Sequence, residues 1–179
     1  KRKNKKEVFF SSYVCHPSMA NNELSGPVLL NALLKYVKKA YPKSHYSYRF
    51  VLLPETIGSI TYISKNLINL KKNVVCGFNL TCVGDERAYS YVSSKDGNTL
   101  ADKAIKASLI GKKKVNAYNF TDRGSDERQY CSPKVNLPLV AFYKSRYYPE
   151  YHTNKDDFKL VTSKGLQESF EVIKNIIDV

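Results

Sequence analysis

The feature that most constrains the fold is the alternation of strand-like and helix-like segments along the chain. Tyr46–Leu53 is rich in aromatic and aliphatic residues and is stopped by Pro54, which predicts a strand. Pro27–Ala40 instead carries apolar residues at helical spacing, with its proline tolerated in the first turn. Strands that alternate with helices favour an α/β fold with a mainly parallel central sheet and helices on both faces.

The remaining segments extend this pattern. Further strands are predicted at Val8–Val14, Val74–Val83, Ala88–Val92, Asn116–Phe120 and Leu137–Tyr143. Further helices are predicted at Gly58–Asn66, Thr99–Leu109 and Thr162–Ile177. Three polar stretches are predicted to be loops: Cys15–Gly26, Thr121–Pro133 and Ser145–Asp157. A length of 179 residues suits a single domain that spans the whole chain.

Composition narrows the classes of function. The chain is 42% hydrophobic, which is enough to bury a core, and no apolar run approaches the roughly 20 residues that cross a bilayer. Its formal net charge of +13 raises the possibility of a nucleic-acid partner. The basic residues are scattered, however, and a solvated basic surface is favoured. We therefore expect neither a nucleic-acid nor a membrane partner. The sequence is compatible with a homo-oligomer as well as with a monomer.

The N-terminus and the cysteines bear on the compartment. Lys1–Lys6 is basic, but the apolar stretch that follows is too short for a signal peptide. No two cysteines form a C-x-x-C pair, which argues against a structural zinc ribbon. We expect Cys15, Cys76 and Cys82 to be buried free thiols in a reducing, cytoplasmic compartment. Cys15 adjoins His16, but neighbouring strand residues point to opposite faces, which argues against a nucleophilic pair.

Four polar side chains follow predicted strands. His16, Glu55, Asp85 and His152 come after the first, second, third and last of the strands that we expect to be parallel. The carboxyl ends of parallel strands meet at one edge of the sheet, where ligands gather. Imidazole and carboxylate are common zinc ligands, so this edge is a candidate metal site.

Each of these residues also has a plainer explanation. A lone histidine after a strand is more often structural than a ligand. Glu55 is a candidate general base, but an acid also suits the first turn of a helix. The charged loop Arg123–Arg128 could line a pocket as a paired network or could simply be solvated. The chain has no G-x-S-x-G elbow and no phosphate-binding glycine loop.

Three segments taken together resemble the zinc aminopeptidases. Cys15–Pro27 resembles the segment that carries the first metal ligand of these enzymes. Pro54–Ser59 resembles their general-base segment, and Tyr151–Asp156 resembles the segment that carries their last metal ligand. The runs His16–Pro27, Arg123–Pro133 and Tyr148–Thr153 also resemble a bacterial aminopeptidase-like family whose members are often annotated near polysaccharide-biosynthesis genes. The resemblance covers nearly the whole chain.

The resemblance implies a zinc-aminopeptidase-like (phosphorylase/hydrolase-like) fold and a zinc-dependent hydrolase of amide or peptide bonds. His16 would be the first zinc ligand and His152 the last. Glu55 would be the general base for metal-activated water. The substrate would be a small peptide or an aminoacyl amide.

Substrate-pocket or supporting roles are implied for the acidic loop and its neighbours. Asp126 and Glu127 would lie at the pocket together with Tyr151, and Arg123 or Arg128 would hold Asp126 in place.

The sequence departs from the family at several ligand positions. Asn22 stands where these enzymes usually have a bridging aspartate, and Glu23 is expected to substitute for it. Thr56 and Thr81 also replace acids, and Asp85 would compensate as a ligand only through a shifted loop. The resemblance therefore implies one zinc ion rather than two.

The family comparison leaves two questions about the whole protein. Relatives carry additional sequence on both sides, so the chain is expected to be part of a longer protein. The lost acids also leave open a non-catalytic binding module on a peptidase scaffold.

Overall fold

The structure is a computed structural model that describes residues 5–179. Part of the basic N-terminal segment, residues 1–4, lies outside the described residues. Six strands form one sheet in the order β2-β1-β3-β6-β4-β5. The strands are β1 (Glu7–Tyr13), β2 (Ser47–Leu53), β3 (Val74–Leu80), β4 (Tyr89–Val92), β5 (Val115–Tyr118) and β6 (Leu139–Tyr143). The helices are α1 (Ser25–Ala40), α2 (Ile57–Asn73), α3 (Leu100–Ser108), α4 (Glu127–Tyr130) and α5 (Ser163–Asp178).

Four neighbouring strands run in the same direction. β2, β1, β3 and β6 pair in parallel, whereas β4 pairs antiparallel to β6 and β5 runs parallel to β4. The predicted α/β fold with a mainly parallel sheet is therefore confirmed, with one reversed pair of strands at an edge. Because four parallel strands end at the same edge, the loops that follow β1, β2, β3 and β6 lie side by side.

Helices cover both faces of the sheet. α1, α3 and α5 contribute to one apolar cluster, which includes Phe10, and α2 and α4 contribute to the other, which includes Phe9. Phe9 and Phe10 are adjacent in β1, and both are fully buried because successive strand residues point to opposite faces. Among residues 5–179, no helix is both long and apolar enough to cross a membrane.

Several boundaries differ from prediction because contacts outside the local pattern decide them. α2 continues to Asn73 rather than ending at Asn66, since Leu70 is fully buried on its core side. A π-helical turn, Ala20–Leu24, precedes α1 within the segment predicted to be a loop. The predicted loop Thr121–Pro133 contains α4, which places Glu127 and Tyr130 in the interior.

Candidate active site

The structure brings His16 and His152 together. His16 follows β1, and His152 lies in the loop after β6, yet their ring centroids are only 4.6 Å apart. The ring of Tyr151 stacks on His152 at 3.9 Å, and Tyr13 meets His16 edge-on at 5.9 Å. Burial lowers the pKa of His152, and the neighbouring His16 lowers it further. His152 is therefore held as the neutral imidazole, the form that binds metal ions.

Glu55 and Cys15 lie beside this pair. The Cys15 Sγ is 2.8 Å from His16 Nδ1 and 3.9 Å from Glu55 Oε2. One donor atom from each of Cys15, His16 and Glu55 lies within 4.8 Å of the other two. Ser125 donates a hydrogen bond of 2.8 Å to the other Glu55 oxygen and so fixes this carboxylate.

The expectations for Cys15 were wrong. Its thiol is exposed rather than buried, and it contacts His16 instead of pointing away from it. The strand rule fails because β1 ends at Tyr13, so both residues lie in the following loop. Partial loss of water around the sulfur, together with the nearby Glu55, raises the pKa of Cys15 to about 11. Without a bound metal ion, the thiol therefore keeps its proton at neutral pH, which makes it a poor nucleophile; a metal ion would displace that proton.

Glu23 fixes the backbone that carries His16. Its two carboxylate oxygens accept hydrogen bonds of 2.6 Å from the backbone N–H groups of Cys15 and His16. The side chain is buried, and one oxygen also lies 3.8 Å from His16 Nδ1. The structure thus places the predicted ligand Glu23 at the site but directs both of its oxygens to the backbone.

The structure does not place Asp85 in the Cys15, His16 and Glu55 group. Its buried carboxylate accepts hydrogen bonds from the Ser145 hydroxyl at 2.6 Å and backbone at 3.0 Å, and from the Arg87 backbone at 2.9 Å. The Asn21 side chain donates a fourth bond at 3.3 Å. Asp85 therefore joins the loop after β3 to the loop after β6.

A strained turn follows Glu55. Thr56 has φ 61° and ψ −69°, and the Ile57 N–H donates to the Glu55 carbonyl at 2.7 Å. This three-residue γ-turn is a rare conformation for a β-branched residue. It redirects the chain from β2 into α2 immediately after the carboxylate.

Asp126 holds this turn in place. Its Oδ1 accepts hydrogen bonds of 2.8 Å from the Thr56 N–H and from the Ser59 hydroxyl. Its buried Oδ2 has no partner within the described part of the chain. Burial raises the pKa of Asp126 to about 6.

The predicted arginine partners of Asp126 were wrong. Arg123 is exposed and lies over the ring of Phe120 at 4.7 Å, and Arg128 is exposed as well. A backbone amide and a hydroxyl supply the donors instead. Glu127 is fully buried and accepts hydrogen bonds from the N–H groups of Gly124 and Ser125 at 2.7 and 3.0 Å.

Three neutral side chains form a buried network beside the histidines. The Tyr13 hydroxyl accepts from Asn22 Nδ2 at 2.9 Å and from the Thr81 hydroxyl at 2.5 Å. Asn22 Oδ1 is buried without a partner among the described residues. Asn22 and Thr81 therefore meet in space, and they are two of the positions at which the resemblance leads us to expect acids.

Sequence reasoning gave no role of their own to two residues that shape the site. Ser125 positions Glu55, and Asp156 accepts hydrogen bonds from the Asn21 and Asn22 N–H groups at 2.6 and 3.0 Å. Asp156 thereby fixes the start of the π-helical turn. The position of Ser125 between Gly124 and two acids suggested a polar loop, but it did not predict that Ser125 would contact Glu55.

Comparison with solved structures identifies the class of fold. A zinc aminopeptidase of Bacillus subtilis superposes with a TM-score of 0.82 at 18% identity, over 99% of this chain and 47% of that one. An aminopeptidase of Aneurinibacillus sp. strain AM-1 superposes with a TM-score of 0.78 at 18% identity, over 99% of this chain and 44% of that one. The fold is therefore that of the zinc aminopeptidases.

The family follows from closer relatives. The model of the family described as "Domain of unknown function (DUF4910)" matches residues 1–179, so the chain belongs to that family. A Clostridium acetobutylicum protein, described as a candidate polysaccharide biosynthesis protein with an aminopeptidase-like domain, is 40% identical over 96% of this chain. A crystal structure of a candidate peptidase from the same organism superposes with a TM-score of 0.92 at 37% identity, over 98% of this chain. The chain spans 39% of the first protein and 42% of the second.

Proposed function

We propose that this domain contributes the active site of a zinc-dependent hydrolase of amide or peptide bonds, of the aminopeptidase type. The observation that carries the proposal is the convergence of two histidines that are distant in sequence. His16 and His152 have ring centroids 4.6 Å apart, and Glu55 and Cys15 lie beside His16. Short peptides or aminoacyl amides are the proposed substrates.

The residues present fit a zinc ion. His16 and His152 offer imidazole nitrogens, and Cys15 offers sulfur, all of which are common zinc donors. Glu23 and Asp85 are occupied by other hydrogen bonds, so Cys15 is better placed than either to complete the set. The neutral Tyr13, Asn22 and Thr81 network lacks the carboxylate charge that a second ion would need, which supports one zinc ion. When bound, zinc polarises a carbonyl group and lowers the pKa of water to about 7.

Glu55 is the proposed general base. Ser125 holds one of its oxygens, so the other faces Cys15 and His16 and can accept a proton from water. The γ-turn at Thr56 and the anchor at Asp126 fix the direction of the carboxylate. General-base catalysis needs such positioning before it needs a matched pKa.

The cellular context is also a proposal. The buried cysteines Cys76, Cys82 and Cys131 are free thiols, which supports the reducing cytoplasm as the compartment. The description of the Clostridium acetobutylicum relative supports a role beside polysaccharide biosynthesis.

Substitution of Glu55 by glutamine tests the proposal. Glu55→Gln should bind zinc with nearly unchanged affinity but lose about 10²- to 10⁴-fold in hydrolysis of aminoacyl p-nitroanilides, the range that general bases contribute. Glu86→Gln is the matched control, because Glu86 is exposed and pairs with Lys164. Hydrolysis that survives in Glu55→Gln would remove Glu55 as the base.

A second candidate is a non-catalytic binding module on the same scaffold. It is favoured by the full use of the Glu23 and Asp85 oxygens in hydrogen bonds. Failure of the folded domain to bind zinc in excess would support this alternative. Zinc-dependent turnover of any aminoacyl amide would exclude it.

A further inference from the structure

Arg146 is enclosed by tyrosine rings in the loop after β6. Its guanidinium carbon lies 4.9 Å from the ring centroid of Tyr118, 5.0 Å from that of Tyr147 and 5.9 Å from that of Tyr143. Aromatic faces attract a guanidinium group and restrict its orientation. The side chain is therefore held in place by rings rather than by an acid.

Arg146 also lacks an anionic partner. Within residues 5–179, Arg49 pairs with Glu7 and Arg87 pairs with Glu150, but no carboxylate lies within ion-pair distance of Arg146. Its Nη1 is buried and has no acceptor in the described part of the chain. A buried donor that is left unmatched is costly, so its retention needs a reason.

The guanidinium group lies next to the loop that positions Glu55. A methyl group added at Gly124 would lie 3.4 Å from Arg146 Nη2, and the next residue, Ser125, donates to Glu55. Arg146 itself lies in the loop that leads from β6 to His152.

We propose that Arg146 binds an anionic group of the substrate, and that the substrate carries a carboxylate close to the bond that is cleaved. This inference rests on the proposed hydrolase function and adds a class of substrate to it. A planar guanidinium group matches a carboxylate through two parallel hydrogen bonds. Peptides offer such a group either in an acidic side chain or at the C-terminus.

Binding measurements separate this inference from catalysis. Zinc-loaded Glu55→Gln, in which hydrolysis should be slow enough to leave the ligands intact, would be titrated by calorimetry with two pairs of compounds. Glutamic acid α-amide is compared with glutamine amide, and alanylglycine with alanylglycine amide. Each pair differs only in one carboxylate. The acid of at least one pair should bind about tenfold or more tightly, because hydrogen bonds between charged groups are the stronger ones.

A second substitution, made in the Glu55→Gln protein, tests whether Arg146 causes this preference. Adding Arg146→Gln should abolish the preference, whereas Arg146→Lys, which keeps the charge but loses the planar fork, should retain part of it. Arg123→Gln is the matched control, because it removes the same charge from an exposed arginine that also lies against a ring.

Three results would overturn the inference. They are equal binding of acid and amide in both pairs, a preference that persists in Arg146→Gln, and an equal loss in Arg123→Gln. If Arg146→Gln fails to fold, an undiminished preference in Arg146→Lys has the same meaning. If the native domain hydrolyses no amide at all, the hydrolase proposal fails, while the binding preference still decides the role of Arg146.

Discussion

Two groups of acidic side chains share one edge of the sheet but differ in how their oxygens are used. Glu23 and Asp85 direct both oxygens to hydrogen-bond donors of the protein, mostly backbone N–H groups. Glu55 has one oxygen held by Ser125 and the other beside Cys15 and His16, and Asp126 has one oxygen without a partner among the described residues. Glu23 and Asp85 therefore serve to hold loops together, whereas Glu55 keeps one oxygen that faces the site, as the proposed general base requires.

The first test of this contrast concerns the histidines, where we expect the largest effect. His152→Ala removes one of the two proposed imidazole ligands, and it should weaken zinc binding by more than about 100-fold, beyond the usual effect of a residue that only supports a ligand. Competition with a chromogenic chelator measures the affinity. His45→Ala, a change at an exposed histidine before β2, should leave it unchanged. Equal affinities of the two variants would contradict the proposed metal site.

The second test concerns a saturated acid. Glu23→Ala removes two short hydrogen bonds to a charged group, each worth about 1.5–3 kcal/mol, so the free energy of unfolding should fall by about 3–5 kcal/mol. Urea denaturation of the metal-free protein would measure the fall. If the free energy of unfolding is unchanged and only zinc binding is lost, Glu23 acts as a zinc ligand and does not stabilise the loop.

The third test uses the pH dependence of Asp126. Its pKa of about 6 lies above the ordinary value of 3.8, so the folded protein binds this proton more tightly than the unfolded chain does. The stabilising contribution is complete below about pH 4 and is lost as the pH rises through about 6, at a cost of up to about 3 kcal/mol.

Denaturation of the metal-free protein at a series of pH values would measure this loss. Asp126→Asn should flatten the profile between pH 4 and 6, whereas Asp96→Asn, at an exposed aspartate, should not change its shape. If the native protein and Asp126→Asn show the same pH profile, the charge on the buried Asp126 carboxylate does not lower the free energy of unfolding.

The smallest expected effect is spectroscopic. With cobalt in place of zinc, a thiolate ligand gives a charge-transfer band in the near ultraviolet, and Cys15→Ser should remove it. The affinity should fall only modestly, because serine leaves the two histidines in place. A band that survives the substitution would assign the sulfur ligand to another cysteine, and the absence of any band in the native protein would exclude Cys15 as a donor.

The fold was accessible from the sequence because periodic apolar patterns encode strands and helices directly. The same reasoning placed His16, Glu55 and His152 in loops at one edge, and these loops do meet. The hydrogen-bond partners of each acid could not be predicted from the sequence, because they depend on which backbone N–H groups of a loop face the carboxylate. Glu23 and Asp85 have the residue type and position of ligands, and only the three-dimensional structure reveals their hydrogen-bond partners.

Cys15 and the arginines show the same limit. The alternation rule applied to Cys15 and His16 assumed that both residues lie in a strand, whereas β1 ends at Tyr13 and both lie in the following loop. Arg123 and Arg128 were the nearest arginines in sequence to Asp126, whereas the guanidinium group that lies next to Gly124 is that of Arg146. Contacts between loops that are distant in sequence produce no periodic pattern in the sequence, so they could not be predicted from it.

The γ-turn at Thr56 has a consequence for any attempt to make this domain more robust. A threonine with φ 61° sits in a conformation that glycine adopts freely, so Thr56→Gly should relieve backbone strain. The same exchange would let the peptide after Glu55 swing between several orientations. Thermal stability and the fixed orientation of the Glu55 carboxylate would then change in opposite directions. Selection for heat resistance alone would therefore favour variants in which this orientation is lost.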